Sequence, residues 1–470
     1  MASHDRSCCL GRVWTMRGYR TSSEATTPEP MSVIPWLVGL PAPIAIALFI
    51  ALLMSVAQLF LAGVLAIKGR SAMRHQAPIG GESEYLWVFF VPALNEEVTI
   101  EDTVQRLVDL KITNRVMMII DDGSTDDTPR MLSQVNHPDL SVLRRNPPNA
   151  QQGKGAALNN AWAVLHERLS SDPRWSAFPP ERVLVTVVDA DGRLDSDFAD
   201  AVAGHFMDPA IGGVQLRVEI YNTWSVLARL QDVEFRVYGA LYQMGRAAWG
   251  TSGMGGNGQI NRLSALDDVA RHNGEVGEAV PWRDRLTEDQ DLGISLLACN
   301  WRAGQELRAA VHQQGLANPR RLLRQRTRWA QGCLQASRRI RVPLVARIPL
   351  LAKAEYVQWL LQPIIQFYVG LMLLLSIALV VVYGITALPF DEPWEVAVVL
   401  FLSLGGTSLG CIVAWVRTQS AGLWRGLAWS IPYALYSWFM MPVYVRAMFR
   451  EVTGRSAWAK TAREPLSRPT

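Results

Sequence analysis

Three acidic clusters, far apart along the chain, are the residues of this sequence best suited to do chemistry. They are Asp121-Asp122, Asp189-Ala190-Asp191 and Glu288-Asp289, and the run Gln325-Arg326-Thr327-Arg328-Trp329 follows them. Carboxylates can hold a metal–diphosphate or remove a proton from a hydroxyl, and arginines can stabilise a departing anion. In this order the four motifs predict a site that transfers a group from a diphosphate to a hydroxyl.

Asp189 and Asp191 follow an apolar run at residues 183–188. Alternate residues of a strand point to the same side, so both carboxylates can face one divalent cation. Magnesium binds through a few carboxylates together with phosphate oxygens of its substrate. We therefore interpret the pair as a metal–diphosphate site, and a solvated turn is the alternative.

Two further strand ends carry residues that suit a nucleotide. The run Ala93-Leu94-Asn95-Glu96 ends the first apolar segment, and Asp121-Asp122-Gly123 ends the second. Carboxylates there can accept hydrogen bonds from a uracil N–H and from ribose hydroxyls, and the glycine lets the backbone approach closely. Either motif alone is also an ordinary turn.

Lys154 stands between two glycines just before a predicted helix. A lysine at a helix start can bind phosphate with its charge and with free backbone N–H groups. The segment is not a Walker A loop, because the upstream glycine and the Ser or Thr after the lysine are missing. Phosphate binding is the functional interpretation, and a solvated turn is the alternative.

Glu288 and Asp289 fall in the first turn of a predicted helix, where acids are favourable. Capping alone would explain them, whereas the functional interpretation makes Asp289 a general base. Arg326 and Arg328 could neutralise a leaving diphosphate, and Trp329 offers a platform for a sugar ring. An amphipathic interfacial helix explains the arginines and the tryptophan, but not their place after three acidic clusters.

The elements that must position these motifs alternate between short apolar runs and stretches with helical periodicity. Strands are predicted at residues 86–91, 116–120 and 183–188, and helices at residues 99–110, 128–134 and 156–169. Such alternation predicts an α/β fold with a parallel sheet covered on both faces. Ligands bind such sheets at the carboxyl ends of the strands, which is where the acidic clusters fall.

Composition divides the chain into a polar middle and apolar ends. The 470 residues are 49% hydrophobic and 19% charged, compared with about 25% charged in soluble domains. The net charge of +4 is too small to indicate a nucleic-acid partner. The five cysteines form no CxxC pair and have no metal-ligand spacing, so neither a disulfide scaffold nor a zinc site is predicted.

The apolar ends predict a multi-pass membrane protein whose catalytic domain is cytoplasmic. Residues 44–67 are long enough to span a bilayer, and the basic Lys68, Arg70 and Arg74 after them mark a cytoplasmic end. We predict a disordered tail at 1–30, a transmembrane segment at 31–75, a catalytic domain at 80–318, amphipathic interface helices at 319–350, a transmembrane region at 355–449 and a basic cytosolic tail at 450–470.

The C-terminal region holds apolar blocks at residues 356–385, 396–416 and 427–449. Three single crossings from a cytoplasmic domain would leave the basic tail outside, against the positive-inside rule, so the number of crossings stays open. The stretch after Phe449 is short, and we expect no attached regulatory domain and no control by cyclic-di-GMP through one.

Taken together, the four motifs resemble those of the family 2 inverting glycosyltransferases over residues 86–332. The likeness is to the membrane-embedded polysaccharide synthases that make cellulose, hyaluronan, chitin or poly-N-acetylglucosamine. It implies a GT-A (Rossmann-like) domain inserted between transmembrane helices, a UDP-sugar donor, and Mg2+ or Mn2+ as cofactor. The family usually has a glycine-rich segment that lines the acceptor pocket, and here this would be Gly253–Gln259. It lacks the Cys-Gly-Ser of cellulose synthases, which leaves the product open.

The resemblance also implies a role for each motif. The nucleotide would be bound by Ala93, Leu94, Glu96, Asp121, Asp122, Lys154 and Asp189. Asp189 and Asp191 would hold the metal, and Asp289 would be the base with Glu288 beside it. The diphosphate and the acceptor would be bound by Gln325, Arg326, Arg328, Trp329, Gly255, Gly256 and Asn257.

Three functions are compatible with these features. The first is a processive synthase in the plasma membrane, which adds a hexose from UDP-glucose or UDP-N-acetylglucosamine to a β-linked glycan and passes the glycan through its own helices. The second is a single-transfer enzyme that glycosylates a lipid, as ceramide glucosyltransferases do. The third is a transporter or receptor with a cytosolic nucleotide-binding module, although the sequence has no repeated halves. The sugar, the linkage, homo-oligomers and accessory secretion proteins are left open.

Overall fold

The computed structural model describes residues 40–383, 393–418 and 422–455. The tail predicted at 1–30 lies outside the described residues. So do the start of the segment predicted at 31–75 and most of the basic tail predicted at 450–470.

One mixed sheet forms the centre of the described chain, with the strand order β3-β2-β1-β4-β7-β6-β8-β5. Its strands are β1 Leu86–Ala93, β2 Arg115–Asp121, β3 Leu140–Arg144, β4 Val183–Val187, β5 Arg193–Leu194, β6 Ile211–Ile220, β7 Gln259–Arg262 and β8 Arg302–Gln313. The strands β1 to β4 are parallel, and β8 is parallel to β6. By contrast, β7 is antiparallel to both β4 and β6, and β5 is antiparallel to β8.

The predicted α/β class is confirmed and the three predicted strands are parallel to one another, but the complete sheet is mixed, because β7 and β5, which were not predicted, are antiparallel to their neighbours. Each of the three predicted strands lies within two residues of its predicted ends. After β6, however, the chain leaves the sheet to pack against the long apolar helices. It returns at the same end of the sheet, so β7 runs beside β6 in the opposite direction.

Helices cover both faces of the sheet and extend beyond it. They are α1 Ala42–Arg74, α2 Ile100–Asp109, α3 Thr128–Ser133, α4 Lys154–Ser171, α5 Phe198–Ala203, α6 Val226–Val237, α7 Met244–Ala247, α8 Leu263–Gly274, α9 Glu288–Ala298, α10 Pro319–Ser337, α11 Arg341–Val345, α12 Leu350–Tyr383, α13 Pro393–Thr418, α14 Gly422–Phe439 and α15 Met441–Val452. A π-helical turn, Tyr238–Gln243, joins α6 to α7.

Alternate residues of β1 enter two separate apolar layers, because successive side chains of a strand point to opposite faces. Trp87 and Phe89 pack in the layer that includes α2 and α5. Leu86, Val88 and Phe90 pack in the layer that includes α4 and α8. All five side chains are buried, so β1 is held rigidly from both sides and its carboxyl end has a fixed position.

Of the described helices, α1, α12 and α13 are long and apolar enough to cross a membrane. The apolar block predicted at residues 427–449 is not one helix, since α14 and α15 divide it at Met440. With 18 and 12 residues, both are shorter than the roughly 20 residues that a spanning helix needs. They pack on the rest of the protein instead, α14 on α13 and α6, and α15 on α10 and α12.

Near the ends of α1 and α13, close contacts join the domain that contains the sheet to the apolar helices. Gly245 of α7 packs against α1 so closely that a Cβ at this position would lie 2.8 Å from the carbonyl oxygen of Leu65. Arg417, in the last turn of α13, donates hydrogen bonds to the carbonyl oxygens of Ala66 in α1 and Ala240 in the π-helical turn. The ends of α1 and α13 are therefore fixed to the same part of the domain.

Substituting Gly245 by alanine should loosen the contact between α7 and α1. The added methyl would overlap the backbone of Leu65, and overpacking of this kind costs about 1–3 kcal/mol. We expect a lower thermal unfolding midpoint in detergent. Gly63→Ala, within α1 and with no atom near the new methyl, is the matched control and should be neutral or slightly stabilising. Equal midpoints for the two variants would contradict this packing.

Candidate active site

The residues predicted to bind a nucleotide lie on one edge of the sheet. Ala93 ends β1 and pairs in register with Asp121, which ends the neighbouring strand β2. On the other side of β1, Phe90 pairs with Val187, the last residue of β4, and Asp189 follows two positions later. The carboxyl ends of three adjacent parallel strands thus bring these residues to the same crevice.

Asp121 and Asp122 are each paired with an arginine that the sequence interpretation missed. The guanidinium of Arg144 donates to Asp121, and that of Arg145 donates to Asp122. Burial raises the pKa of Asp122, and the hydrogen bonds it accepts, including those from Arg145, oppose this rise. Arg144 is paired in register with Asp121 at the end of β3, so the strand-end argument could have found both arginines.

The loop after β1 is bound to the loop after β2. The backbone N–H of Asp122 donates to the carbonyl oxygen of Ala93 at 2.8 Å, and the N–H of Glu96 donates to Oγ1 of Thr128 at 2.8 Å. Leu94 is half-buried between them. The residues predicted to contact a nucleoside therefore form one connected surface.

Lys154, Asp189, Glu288 and Asp289 meet although 135 positions separate the first from the last. Nζ of Lys154, the first residue of α4, lies 2.5 Å from Oδ1 of Asp189 and 3.8 Å from Oε1 of Glu288. A Cβ on Gly256 would lie 2.9 Å from Oδ2 of Asp289 and 3.3 Å from the same Nζ. Two of the three acidic clusters and the glycine-rich loop thus share one site around the ammonium group of Lys154.

This site has more negative than positive charge. Burial and the adjacent Asp289 carboxylate raise the pKa of Glu288 to about 7. The pKa of Asp289 is also raised, chiefly by burial. Burial alone would lower the pKa of Lys154, but Asp189 and Glu288 outweigh it and raise that pKa. A further cation would therefore be stabilised here.

The two predicted metal ligands are held by different partners. Asp189 contacts Lys154, whereas Oδ2 of the buried Asp191 accepts a hydrogen bond from the backbone N–H of Gln314 at 2.9 Å. Among the described residues, no group of three or more His, Cys, Asp or Glu side chains is arranged as a metal site. The surplus negative charge around Asp189 nevertheless fits a divalent cation that brings diphosphate oxygens as its other ligands.

The loop that carries Gly255, Gly256 and Asn257 is bound on two sides. Oε1 of Gln215 accepts from the N–H of Gly255 at 2.8 Å, and Nε2 of Gln215 donates to the carbonyl oxygen of Asn257 at 2.8 Å. Oδ1 of Asn257 accepts from the N–H of Asp189 at 3.1 Å. The loop is therefore fixed relative to Asp189. Gln215 lies within β6, and no pattern in the sequence marks it.

The two arginines of the Gln325–Trp329 run do not face the same site. They lie on helix α10, where positions two apart point about 200° away from each other. Nη1 of Arg328 lies 3.5 Å from the carbonyl oxygen of Leu286, and its charge is close enough to act on Glu288 and Asp289. Arg328 therefore belongs to the acidic site.

Arg326 is buried elsewhere, which corrects the prediction that both arginines serve one diphosphate. Its Nη2 donates to Oε2 of Glu234 at 2.6 Å, and its guanidinium lies 4.1 Å from the ring of Trp329. Tyr436 donates to the same Glu234 oxygen at 2.8 Å. Gln325 accepts from Nη1 of Arg326 at 3.1 Å. Arg326 thus joins α10 to α6 and α14.

Comparison with known proteins agrees with this geometry. Residues 184–452 match the glycosyl transferase family group 2, and residues 88–269 match glycosyl transferase family 2. A solved mannosyltransferase from Pyrobaculum calidifontis, in complex with GDP-Man and Mn2+, has a TM-score of 0.55 and 16% identity, covering 87% of this chain and 99% of its own. This likeness confirms the GT-A fold.

Two curated relatives are similar in sequence over part of their length. The beta-monoglucosyldiacylglycerol synthase of Synechocystis sp. is 32% identical over 253 residues, which are 52% of this chain and 47% of that protein. The poly-beta-1,6-N-acetyl-D-glucosamine synthase of Staphylococcus aureus is 26% identical over 246 residues, which are 52% of this chain and 53% of that protein. The chain thus spans about half the length of the curated relatives it matches.

The raised pKa of Glu288 predicts that the ligand-free protein loses stability as pH rises. Between the ordinary pKa of glutamate and about 7, the folded state binds more protons than the unfolded state, so the free energy of unfolding falls with increasing pH. Glu288→Gln should therefore flatten the dependence of the thermal midpoint on pH between about 5 and 8, and it should raise the midpoint at the upper end. The exposed Glu275 gives the control, Glu275→Gln, which should keep the wild-type slope. Equal slopes for wild type and Glu288→Gln would disprove the prediction.

Proposed function

The chain belongs to the glycosyl transferase family group 2, and on that premise we propose that it transfers a hexose from a UDP-sugar to a membrane lipid, with inversion at the anomeric carbon. It is a hexosyltransferase. The observation that carries the proposal is the meeting of Lys154, Asp189, Glu288 and Asp289 beside the loop at Gly256.

The donor would lie along the crevice at the carboxyl ends of β1, β2 and β4. Asp121 and Asp122, with the loop that contains Ala93 and Glu96, suit the uridine. Lys154 and Asp189 suit the diphosphate. Asp189 would also hold Mg2+ or Mn2+, which when bound neutralises negative charge on the diphosphate.

Asp289 is better placed than Glu288 to act as the general base. Glu288 is buried, with 8% of its side chain exposed, whereas Asp289 is half-buried at the open side of the cluster. Oδ1 of Asp289 accepts from the N–H of Gln290 at 2.7 Å, and its Oδ2 faces the loop at Gly256. Burial, which raises the pKa of Asp289, would keep this carboxylate basic enough to accept a proton.

The transfer would proceed by one in-line displacement. Asp289 takes the proton from the acceptor hydroxyl as its oxygen attacks the anomeric carbon. The bond from that carbon to the diphosphate oxygen breaks, and its electron pair leaves with UDP. Lys154 and Arg328 stabilise the charge that develops on UDP. Attack opposite to the leaving group inverts the anomeric configuration.

A lipid acceptor is favoured by the arrangement of the long apolar helices. Oε1 of Gln58 in α1 accepts hydrogen bonds from Nε2 of both Gln362 and Gln366 in α12, at 3.3 and 3.2 Å. These amides thus bond to one another where the two helices pack, which suits a closed contact better than a polar channel for a glycan. The first relative above is named for a glucosyldiacylglycerol product, so we favour glucose as the sugar.

A processive polysaccharide synthase, which the sequence favoured, is the second candidate. The Gln325–Trp329 run at the junction with the apolar helices supports it, as does the likeness to a poly-N-acetylglucosamine synthase. In that case UDP-N-acetylglucosamine would be the donor, and a growing glycan would be the acceptor.

Three crossings explain the distribution of charge at the membrane. With α1, α12 and α13 as spans, the catalytic domain and the basic C-terminal tail are both on the cytoplasmic side. The helices α14 and α15 would then lie at the membrane surface. Leu427, Ile431 and Leu435, spaced four apart on α14, are exposed and would face lipid. This arrangement in the plasma membrane removes the conflict that three C-terminal crossings would create.

The product formed from a labelled sugar distinguishes the two candidates. Purified protein in vesicles that contain diacylglycerol should convert labelled UDP-glucose, with Mg2+ or Mn2+, into one discrete glycolipid on thin-layer chromatography. Labelled UDP-N-acetylglucosamine is tested as donor in a parallel reaction. A ladder of soluble polymer from either donor would support the processive synthase and contradict the proposed single transfer.

Asp289→Asn should lower the rate of transfer by about 10²–10⁴-fold, because the amide cannot accept the acceptor proton. The affinity for UDP should change little, since Asp289 lies on the acceptor side of the cluster. Asp284→Asn, an exposed change of the same type in the preceding loop, is the control and should keep wild-type activity. Near-normal transfer by Asp289→Asn would rule out Asp289 as the base.

A further inference from the structure

Arg246 of α7 and Glu355 of α12 form an ion pair that is buried on both sides, with 2% and 4% of the two side chains exposed. Nε of Arg246 lies 3.0 Å from each carboxylate oxygen of Glu355, and Nη2 lies 2.7 Å from Oε1. The guanidinium carbon lies 4.5 Å from the ring centre of Trp359. This forked geometry fixes the orientation as well as the distance between α7 and α12.

The same arginine is bonded to the loop that faces the base. Its Nη1 donates to Oε1 of Gln243 at 3.3 Å. That oxygen also accepts from the N–H of Gly253 at 3.0 Å, and Nε2 of Gln243 donates to the carbonyl oxygen of Gly253 at 2.6 Å. The guanidinium therefore supports the orientation in which the Gln243 amide binds both polar backbone groups of Gly253. Three positions later, Gly256 lies beside Asp289.

The first turns of α12 also contact the helix that carries the base. Tyr356 packs in one buried cluster with Ile294 and Leu297 of α9. The Trp359 ring lies edge-on to Tyr356 at 5.2 Å, and a Cβ on Gly253 would lie 3.2 Å from that indole. One short stretch of α12 thus holds both the loop and the helix that form the acceptor side of the site.

We propose that Arg246 and Glu355 are positioning residues that hold the Gly253–Gly256 loop against Asp289 and so set the geometry of acceptor attack. A buried ion pair is a weak source of stability, because apolar residues of similar size often serve as well or better. Its fork, however, supplies the N–H that orients Gln243, which an apolar pair cannot do. The inference rests on the proposed function, because that function is what makes this side of the site the acceptor side.

The decisive variant removes both charges together, as Arg246→Met with Glu355→Leu. It should fold with a thermal midpoint close to wild type, since no unpaired charge is left buried. Acceptor-dependent transfer should nevertheless fall by about 10–100-fold, because misplacement of about 1 Å can cost as much. The Kd for UDP should stay within about 2-fold of wild type, because the pair lies on the acceptor side. Wild-type transfer by this folded double variant would overturn the inference, as would an equal loss of UDP binding.

Arg246→Lys is the second variant, used whether or not the double variant folds. It keeps a positive charge opposite Glu355 but has no fork with which to bond Glu355 and Gln243 together. Like the double variant, it should show slower acceptor-dependent transfer with a nearly unchanged Kd for UDP. The control removes the exposed pair Arg302 and Asp208, as Arg302→Met with Asp208→Leu. It should leave the transfer rate and the Kd for UDP unchanged.

Hydrogen–deuterium exchange tests the positioning role without any substrate. In both Arg246 variants, the amide of Gly253 and its neighbours at residues 251–258 should exchange faster than in wild type, while residues 121–124 should be unchanged. Unchanged exchange at 251–258 would refute the positioning role even in an active enzyme. If wild type makes no glycolipid, the proposed function fails, and the exchange result still tests the ion pair.

Discussion

The site depends on concentrating carboxylates around a single lysine at the edge of a rigid sheet. Asp189 follows β4, Glu288 and Asp289 begin α9, and the ammonium of Lys154 contacts both parts of the chain. Burial and repulsion by the adjacent Asp289 carboxylate both disfavour the charged form of Glu288, and they raise its pKa to about 7. Such a site is therefore stable only while the fold forces the carboxylates together, or while a cation joins them.

The carboxylates are held together by the buried strands of the fold rather than by contacts within the site. β1 is buried on both faces, so the ends of β1, β2 and β4 cannot move apart without opening two apolar layers. Asp289, the proposed base, lies on the other side of the site on α9, which is held by apolar contacts with the first turns of α12. The groups proposed to bind the donor and those proposed to face the acceptor are thus held by different parts of the fold. On that proposal, a change in one part would alter the acceptor geometry without altering nucleotide binding.

The features that the sequence could predict are those controlled by local periodicity and by strand ends. Asp121 and Asp189 could be predicted as site residues because Asp121 ends an apolar strand and Asp189 follows another. Parallel strands bring their carboxyl ends together. The same argument reaches Arg144 at the end of β3. The different directions of Arg326 and Arg328 could also have been foreseen, since helical positions two apart cannot share a face. Gln215 and Gln243 could not, because their roles depend on tertiary contacts with loops 40 and 10 residues away.

The buried ion pair of Arg246 and Glu355 is better explained by its proposed positioning role than by a contribution to stability. Removing two ions from water is unfavourable, and the pair sits where apolar side chains would pack well beside Trp359 and Tyr356. What the ions add is direction: the Arg246 fork has a donor left over after it has bonded to Glu355, and that donor reaches Gln243. A membrane helix is thereby connected to the backbone of Gly253 by hydrogen bonds whose angles matter. Apolar contacts would hold α7 and α12 equally close, but they would remove the charged donor that supports the Gln243 amide in its two hydrogen bonds to Gly253.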